Sequence, residues 1–238
     1  MKIALIGYGK MGKAIEEIAL QKGHEIVLTI DQHNLNEFTK ENLVKADAAI
    51  EFTSPHTAYE NVKTCISLGV PVVCGSTGWT EKLEELKQFC NEKNSAFIYS
   101  SNFSIGVNIF FEVNKRLAAL MASHHDYEVI LEETHHTQKK DAPSGTAITL
   151  AEQVLEQVKR KKQWVNELSD NPDDLEIISQ RIDPAPGTHS IKYSSAIDDI
   201  EIIHTAHSRK GFAAGAVLAA EFLKDKKGFF TMKEVLHL

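Results

Sequence analysis

The stretch from His135 to Thr146 holds the densest set of side chains that could transfer protons or bind an anion. The imidazoles of His135 and His136 stand close to the ammonium group of Lys139. A histidine has an ordinary pKa that suits proton transfer near neutrality, whereas a lysine needs burial or neighbouring positive charge to lower its pKa. His135 and Lys139 are therefore both candidates for a catalytic acid.

The same stretch ends where a helix is expected to begin. Pro143, Ser144 and Thr146 are typical of a helix start, and the N–H groups of a first helical turn bind anions. The backbone of Gly145 and Thr146, together with a nearby lysine, would suit a substrate carboxylate. The alternative is a simple turn with solvated histidines.

A glycine-rich turn follows the first apolar run of the chain. It consists of Gly7, Tyr8, Gly9, Lys10, Met11 and Gly12. The spacing matches a dinucleotide fingerprint, whose glycines allow a tight turn, close approach of a pyrophosphate, and close packing of helix on strand. Because the turn opens a helix and Asp31 ends the next strand, a purely structural turn is the weaker alternative.

Asp31 bears on which nicotinamide coenzyme is used. Its carboxylate would accept hydrogen bonds from the adenosine ribose hydroxyls, which favours NADH. Gln32 and His33 follow it rather than an arginine, so little is available to hold a 2′-phosphate. Because His33 or Lys40 could still contact that phosphate, the expected cofactor is NADH or NADPH, with NADH favoured.

Three further segments follow strand ends, where open α/β sheets bind ligands. They contribute Phe52, Thr53, Gly75, Ser76, Thr77, Ser101, Asn102 and Phe103. Serine and threonine at such places also cap helices, a role compatible with lining a cofactor. A nicotinamide near these segments and an acid at His135 or Lys139 would supply the hydride and the proton for reduction of a C=N or C=C bond.

Alternating strands and helices would position the glycine turn. Apolar runs predict strands at 2–6, 25–30, 48–52, 70–74 and 96–99. Alternation with helices predicts a parallel sheet covered on both faces. After Gly106 a helix is followed by strand-like runs at 129–132, 177–180, 190–193 and 200–205. The expected fold class is α/β, a Rossmann-type parallel sheet domain plus a smaller α+β domain with an open mixed sheet.

The change of pattern predicts two domains. Residues 1–104 and 209–238 are expected to form a dinucleotide-binding domain, because the helical pattern from Gly211 can return to the first half of the chain. Residues 105–208 are expected to form a substrate-binding domain.

The composition favours a small-molecule partner. The 238 residues are 42% hydrophobic and 25% charged, as in a globular protein. A formal net charge of -7 gives no positive field for nucleic acid or an anionic membrane. The first apolar run is too short for a secretory signal, and no segment reaches the roughly 20 apolar residues of a membrane span, so a cytoplasmic location is expected.

Two other functions stay open on the residues alone. A metal ion could be bound by His135, His136, His189, His204, His207, Glu132 and Asp141. Adjacent histidines of an extended segment usually point in different directions, so a metal-assisted hydrolase is the weaker hypothesis and no metal is assigned. A non-catalytic NAD-sensing module would leave the cluster of His135 and Lys139 unexplained.

The stretch Glu133-Thr-His-His-x-x-Lys139-x-Asp-Ala-Pro-Ser-Gly-Thr-Ala147 resembles the signature of the 4-hydroxy-tetrahydrodipicolinate reductase family, also called dihydrodipicolinate reductases. The similarity covers nearly the whole chain, although many members have one more residue in the glycine turn. It implies reduction of 4-hydroxy-tetrahydrodipicolinate, through the dehydrated cyclic imine, to tetrahydrodipicolinate with NAD(P)H. This reaction belongs to the diaminopimelate route of lysine biosynthesis.

The resemblance also implies roles for individual residues. His135 and Lys139 would form the catalytic pair, with Lys139 as the proton donor. The dicarboxylate would be bound by His136, Lys139, Ser144, Gly145 and Thr146. The nicotinamide would be lined by Gly75, Thr77, Ser101 and Phe103, and the cofactor would be approached by Arg209 and Phe212 of the returning C-terminal segment. A homotetramer assembled through residues 105–208 is also implied, whereas Arg181 and His189 match the family only loosely and are given no catalytic role.

Overall fold

The computed structural model describes residues 1–208 and 210–238, which fall into two compact units. The first unit consists of Met1–Ile105 and Arg209–Leu238, and the second of Gly106–Ser208. In the described part of the chain, no helix combines the length and the apolar character that crossing a membrane requires.

Strands and helices alternate through the first unit and again at the end of the chain. The strands are β1 Lys2–Ile6, β2 Glu25–Ile30, β3 Ala48–Glu51, β4 Val72–Cys74, β5 Ala96–Tyr99, β6 Glu128–His135, β7 Gln163–Val165, β8 Asp174–Arg181, β9 Gly187–Ser194, β10 Asp199–Ala206 and β11 Gly228–Phe230. The helices are α1 Lys10–Gln21, α2 Lys40–Leu43, α3 Ala58–Ser67, α4 Leu83–Glu92, α5 Ile105–Met121, α6 Gly145–Gln157, α7 Lys210–Phe222 and α8 Met232–Leu236.

The first unit is built on a six-stranded sheet in the order β11-β5-β4-β3-β1-β2, and every pair is parallel. Its strands are continuous apolar runs because both faces are covered. Ile3 and Ile50 face a cluster with α1 and α7, whereas Ala4 and Val72 face a cluster with α3 and α4. The predicted Rossmann-type sheet is confirmed, with β11 as a strand that the sequence pattern did not predict.

The second unit holds a five-stranded sheet in the order β10-β9-β6-β8-β7. Strand β6 is antiparallel to β9 and parallel to β8, so the sheet is mixed, as predicted. Its inward residues, such as Leu131 and Ile177, pack with Leu150 of α6 and Ala118 of α5 in one apolar core.

Strand β6 is longer than predicted, and this matters for the site. The apolar run predicts a strand over 129–132, but the ladder continues to His135. The polar residues at the end still alternate in burial with period two, because β8 and β9 pair with them on both sides. His135 therefore ends a central strand instead of lying in a loop.

Candidate active site

The register of β6, β8 and β9 brings polar side chains together at one end of the second sheet. Glu133 of β6 lies opposite Ser179 of β8 and His189 of β9, and His135 lies opposite Arg181. All five residues share the face that the helices cover, since they continue the alternation of the inward apolar residues. Residues far apart in sequence thus meet in one cluster.

The carboxylate of Glu133 is the centre of this cluster and is completely buried. The backbone N–H of Ser144 donates to both of its oxygens, at 3.2 and 3.1 Å. Ser179 Oγ and Arg181 Nη2 donate to Oε1 at 2.8 and 3.1 Å. Burial by itself would raise the pKa of Glu133, but donors at His189, Ser144 and Ser179 hold it well below its ordinary value. Glu133 is therefore a buried, ionised and fully hydrogen-bonded acid.

His135 is held in one tautomer beside this acid. Its Nδ1 lies 3.2 Å from the carbonyl oxygen of Pro186, which can only accept, so Nδ1 carries the proton. Its Nε2 lies 3.4 Å from His189 Nε2 and 3.6 Å from a Glu133 oxygen. Burial, with His189 and Lys139 nearby, lowers the pKa of His135 to about 4. The ring is thus neutral near neutral pH.

Gly187 makes room for that ring. A Cβ atom on Gly187 would lie 2.8 Å from His135 Cε1, so a larger residue would displace the imidazole. The glycine at the start of β9 therefore leaves space for the imidazole of His135.

The segment between β6 and α6 carries Lys139 and is tied down along its length. Thr137 donates to Asp183 through its backbone N–H at 3.1 Å and through its hydroxyl at 2.6 Å. Lys139 Nζ lies 2.8 and 2.7 Å from the two carboxylate oxygens of Asp141. Arg181 Nη2 donates to the carbonyl oxygen of Asp141 at 2.6 Å as well as to Glu133. The position of Lys139 therefore depends on contacts with β8 and the segment that follows it.

The start of α6 lies beside the same carboxylate. Ser144 is the N-cap residue, and its hydroxyl accepts a hydrogen bond from the N–H of Ala147 at 3.2 Å. Gly145, at the first helical position, is exposed, and Thr146 is half-buried. His136 Nδ1 is buried without a hydrogen-bond partner among the described residues. A first helical turn of this kind, with an imidazole and a lysine on the same segment, suits an anionic group.

The cluster also contains a possible set of metal ligands. Donor atoms of Glu133, His135 and His189 all lie within 4.8 Å of one another in the part of the chain that the structure describes. The two histidines belong to the set that the sequence offered as the weaker, metal-binding alternative, whereas the acid is Glu133 and not Glu132. Because Ser144 and Arg181 already donate to the carboxylate, hydrogen bonding accounts for this arrangement.

The glycine turn in the first unit has the geometry of a dinucleotide site. Gly7 has φ of +99°, and a Cβ on it would lie 2.0 Å from the carbonyl oxygen of Phe52. A Cβ on Gly12 would lie 2.4 Å from the carbonyl oxygen of Gly7, whereas one on Gly9 would meet nothing within 4 Å. Gly9 is the N-cap of α1 and no side chain caps that helix. The residues present therefore fit a bound pyrophosphate.

The remaining predicted coenzyme residues lie at the carboxyl ends of the parallel strands or on α7. Asp31 follows β2, and its Oδ1 accepts the N–H of His33 at 2.7 Å, which orients the carboxylate. The Phe103 ring is buried in the core and packs on Phe52, with ring centroids 5.8 Å apart. Phe212 is half-buried on α7, and Arg209 lies outside the described residues.

The other predicted coenzyme residues differ in exposure. The exposed ones are Lys10, Thr53, Thr77 and Ser101. The half-buried ones are Tyr8, Met11 and Gly75, and the buried ones are Ser76 and Asn102.

Four residues of the cluster were given no catalytic or substrate-binding role from the sequence. Glu133, Ser179, Arg181 and His189 come together only when β6, β8 and β9 are paired. One indication was available, because the alternation of Val129 and Leu131 places Glu133 on the covered face, where an acid requires partners. The partners themselves could not be identified without the register.

The whole chain matches models of one protein family. Residues 1–103 match the model described as dihydrodipicolinate reductase, N-terminus, and residues 106–236 match the corresponding C-terminus model. A 4-hydroxy-tetrahydrodipicolinate reductase of Christiangramia forsetii is 51% identical over 240 residues, covering 99% of this chain and 98% of that protein. One from Methanocaldococcus jannaschii is 34% identical, covering 98% of this chain and 81% of that protein.

Solved structures show the same fold. A dipicolinate-bound dihydrodipicolinate reductase from a Paenisporosarcina species has a TM-score of 0.77 at 23% identity, with 97% of each chain covered. An amine dehydrogenase from Mycobacterium smegmatis has a TM-score of 0.62 at 9% identity, covering 97% of this chain and 94% of that one. With two family models and close relatives spanning its length, the chain belongs to the dihydrodipicolinate reductase family, whose members are NAD(P)H-dependent oxidoreductases.

Proposed function

We propose that this protein reduces 4-hydroxy-tetrahydrodipicolinate, through the dehydrated cyclic imine, to tetrahydrodipicolinate in the diaminopimelate route of lysine biosynthesis. Residues 1–104 and 209–238 bind the dinucleotide, and residues 105–208 bind the substrate. The observation that carries the proposal is the meeting of His135, the Lys139 segment and the first turn of α6 around one buried carboxylate. Family relatives named for this reaction support it.

Lys139 is the proton donor in this proposal. His135 is neutral, and its only ring proton is directed at the Pro186 carbonyl oxygen, so it has no proton to give to a substrate. Lys139 carries its protons on a half-buried side chain that Asp141 orients. His135 then acts as the second member of the catalytic pair, with an uncharged ring.

The substrate is a ring dicarboxylate. The related Paenisporosarcina structure is described as dipicolinate-bound, which supports this chemical class for the present chain. One carboxylate is bound by the backbone of Gly145 and Thr146 at the start of α6 and by Ser144. His136 and Lys139 supply the charged and polar contacts, and the buried His136 Nδ1 gains the partner that it lacks among the described residues.

The glycine turn holds the pyrophosphate of the coenzyme, and bound nicotinamide supplies the hydride. The residues that hold the coenzyme are Gly7, Tyr8, Gly9, Lys10, Met11, Gly12, Asp31, Phe52, Thr53, Gly75, Ser76, Thr77, Ser101, Asn102, Phe103, Arg209 and Phe212. NADH is preferred because the oriented carboxylate of Asp31 accepts from ribose hydroxyls and repels a 2′-phosphate.

The protein is a cytoplasmic homotetramer assembled through the second unit. On its sheet, Ile130, Ile178 and Ile203 point away from the helices, since their neighbours Leu131, Ile177 and Ile202 pack with the core on the other face. Ile203 is 58% exposed in the single chain. An apolar sheet face of this kind suits contact with a second copy. The three buried cysteines, which form no disulfide, suit a reducing compartment.

The reaction and the proton donor can be tested together. Oxidation of NADH and of NADPH is followed separately with enzymatically generated 4-hydroxy-tetrahydrodipicolinate. Lys139→Met is expected to lower kcat by about 100- to 10,000-fold, as for loss of a general acid, with little change in NADH affinity. Lys140→Met is the matched control, because Lys140 is the exposed neighbour on the same segment and should keep its turnover. Full activity of Lys139→Met would refute this role.

The coenzyme preference has its own test. Asp31→Ser removes the carboxylate while keeping a small polar side chain. The ratio of kcat/KM for NADH to that for NADPH should fall by about tenfold, equivalent to one charged hydrogen bond. An unchanged ratio would show that Asp31 does not set the preference.

A further inference from the structure

Glu51 is a second fully buried acid, and it belongs to the first unit, whereas Glu133 belongs to the second. It is the last residue of β3 and has no exposed surface. Its neighbours on the same face of the sheet are apolar and include Ala49, Cys74 and Trp79. Burying a carboxyl group at such a place is costly unless each oxygen has hydrogen-bond donors. The positions of these donors therefore indicate the function of Glu51.

Most of those donors come from two loops and not from the strands. Glu51 Oε1 accepts the backbone N–H of Thr53 at 3.0 Å and the Ser76 hydroxyl at 3.1 Å, and it also accepts the Thr53 hydroxyl. The Ser76 hydroxyl in turn accepts the N–H of Thr53 at 2.8 Å. One oxygen thus joins the loop after β3 to the loop after β4.

The other oxygen has a donor that belongs to the sheet itself. Cys74 Sγ lies 2.9 Å from Glu51 Oε2, and the two residues face each other in the register of β3 and β4. Burial, followed by the nearby Glu51, raises the pKa of the Cys74 thiol, so the thiol keeps its proton and donates it. This contact joins the two strands, and the Cys74 sulfur also meets the backbone of Ser76 and the side chain of Trp79.

The loop after β3 packs against the glycine turn, and the loop after β4 packs against the loop after β3. A Cβ on Gly7 would lie 2.0 Å from the Phe52 carbonyl oxygen and 3.0 Å from Thr53 Cγ2. A Cβ on Gly75 would lie 2.2 Å from the Phe52 ring. A small shift of either loop would therefore move the turn or be blocked by it.

We propose that Glu51 is a positioning residue for the coenzyme. Its carboxyl group holds the loops after β3 and β4 in place against the glycine turn. Glu51 need not touch the coenzyme. This inference rests on the proposed coenzyme site, so it is tested by binding rather than by turnover.

The experiment titrates NADH against wild-type protein and three variants by the fluorescence of bound NADH, with melting temperatures measured in parallel. Glu51→Leu removes both acceptors at similar volume and should raise the NADH dissociation constant about tenfold or more, as expected when buried donors lose their acceptor. Cys74→Ala is the matched control. It removes a buried contact to the same carboxyl group, so its melting temperature falls while NADH affinity stays within about twofold.

The third variant distinguishes positioning from general stability. Glu51→Gln keeps an oxygen for Thr53 and Ser76 and should restore most of the affinity that Glu51→Leu loses. If Glu51→Leu is too unstable to study, Ser76→Ala removes a single tie and should weaken NADH binding by about threefold. Unchanged NADH binding in Glu51→Leu or Ser76→Ala overturns the proposal, as does equal weakening in Cys74→Ala. If NADH binds as expected but the imine is not reduced, the proposed function fails and this inference stands.

Discussion

At the scale of single residues, Arg181 connects the buried acid to the segment that carries Lys139. One nitrogen, Nη2, donates both to Glu133 Oε1 and to the carbonyl oxygen of Asp141. Asp141 in turn pairs with Lys139 through its side chain. A guanidinium shared in this way holds the segment that carries Lys139, the proposed proton donor, against the buried acid.

Replacing Arg181 by Met should therefore lower turnover. The segment loses its tie at Asp141, and kcat/KM for the imine should fall by about 10- to 100-fold, equivalent to loss of one charged hydrogen bond. Ser179→Ala is the matched control, because Ser179 also donates to Glu133 Oε1 but does not contact the segment. Steady-state kinetics should find Ser179→Ala close to wild type. Equal losses in both variants would show that Arg181 acts only through the stability of Glu133.

His135 makes stability depend on pH. Its pKa in the folded protein is about 4, lowered from 6.5 by burial and then by His189, with Lys139 adding to this and Glu133 opposing it. The unfolded chain therefore binds a proton below about pH 6.5 that the folded chain does not, so stability falls as the pH drops toward 4. At about pH 5 the cost is about 2 kcal/mol.

Urea unfolding near pH 7 and pH 5 measures this cost. His135→Gln should lose about 2 kcal/mol less than wild type between these conditions, since glutamine does not titrate. His125→Gln, at an exposed position, should lose as much as wild type. The same loss in His135→Gln as in wild type would contradict the assignment.

At the scale of elements, two glycines of the turn are expected to affect different properties, Gly12 the stability of the fold and Gly9 the binding of NADH. Gly12→Ala places a methyl group against the Gly7 carbonyl, where the backbone cannot move aside, and should reduce stability by about 1–3 kcal/mol. Gly9→Ala has open space and should fold like wild type. It should nevertheless bind NADH about tenfold more weakly, because its methyl group lies where the pyrophosphate approaches. Thermal unfolding and NADH titration of both variants check this contrast.

How far an element could be predicted from sequence depended on its length and its neighbours. The strands Glu25–Ile30 and Ala96–Tyr99 were predicted to the residue, because polar residues bound each largely apolar run. Gln163–Val165 and Gly228–Phe230 were not predicted, since three residues on a sheet edge show no periodicity.

The residues of the site also fall into two groups, those that could be identified from the sequence and those that could not. His135, Lys139 and Ser144 could be identified because they are close in sequence and their side chains suggest chemistry. Glu133 and His189 are separated by a helix and two strands, and only the ladders of β6 with β8 and β9 bring them together. Pairing of this kind depends on packing over the whole sheet, which no local pattern records.

At the scale of the whole molecule, the proposed tetramer predicts that a charge on one face of the second sheet disrupts assembly. Ile203→Glu places a charge on the uncovered face of the second sheet and should convert tetramers to smaller species in sedimentation velocity. Leu20→Glu is matched in exposure, 54% against 58%, but lies on α1 of the first unit and should leave the assembly intact. A tetramer in both variants would exclude this face, and a monomeric wild type would exclude the assembly.

The position of β11 has a consequence for synthesis on the ribosome. This strand covers the outer edge of β5, and more than half of the chain separates the two in sequence. A nascent chain therefore exposes the apolar edge of Ala96–Tyr99 until Gly228–Phe230 emerge, on the order of 10 seconds at ordinary elongation rates. Unpaired strand edges recruit other chains. A product cut short before residue 228 would keep this edge open and is expected to aggregate.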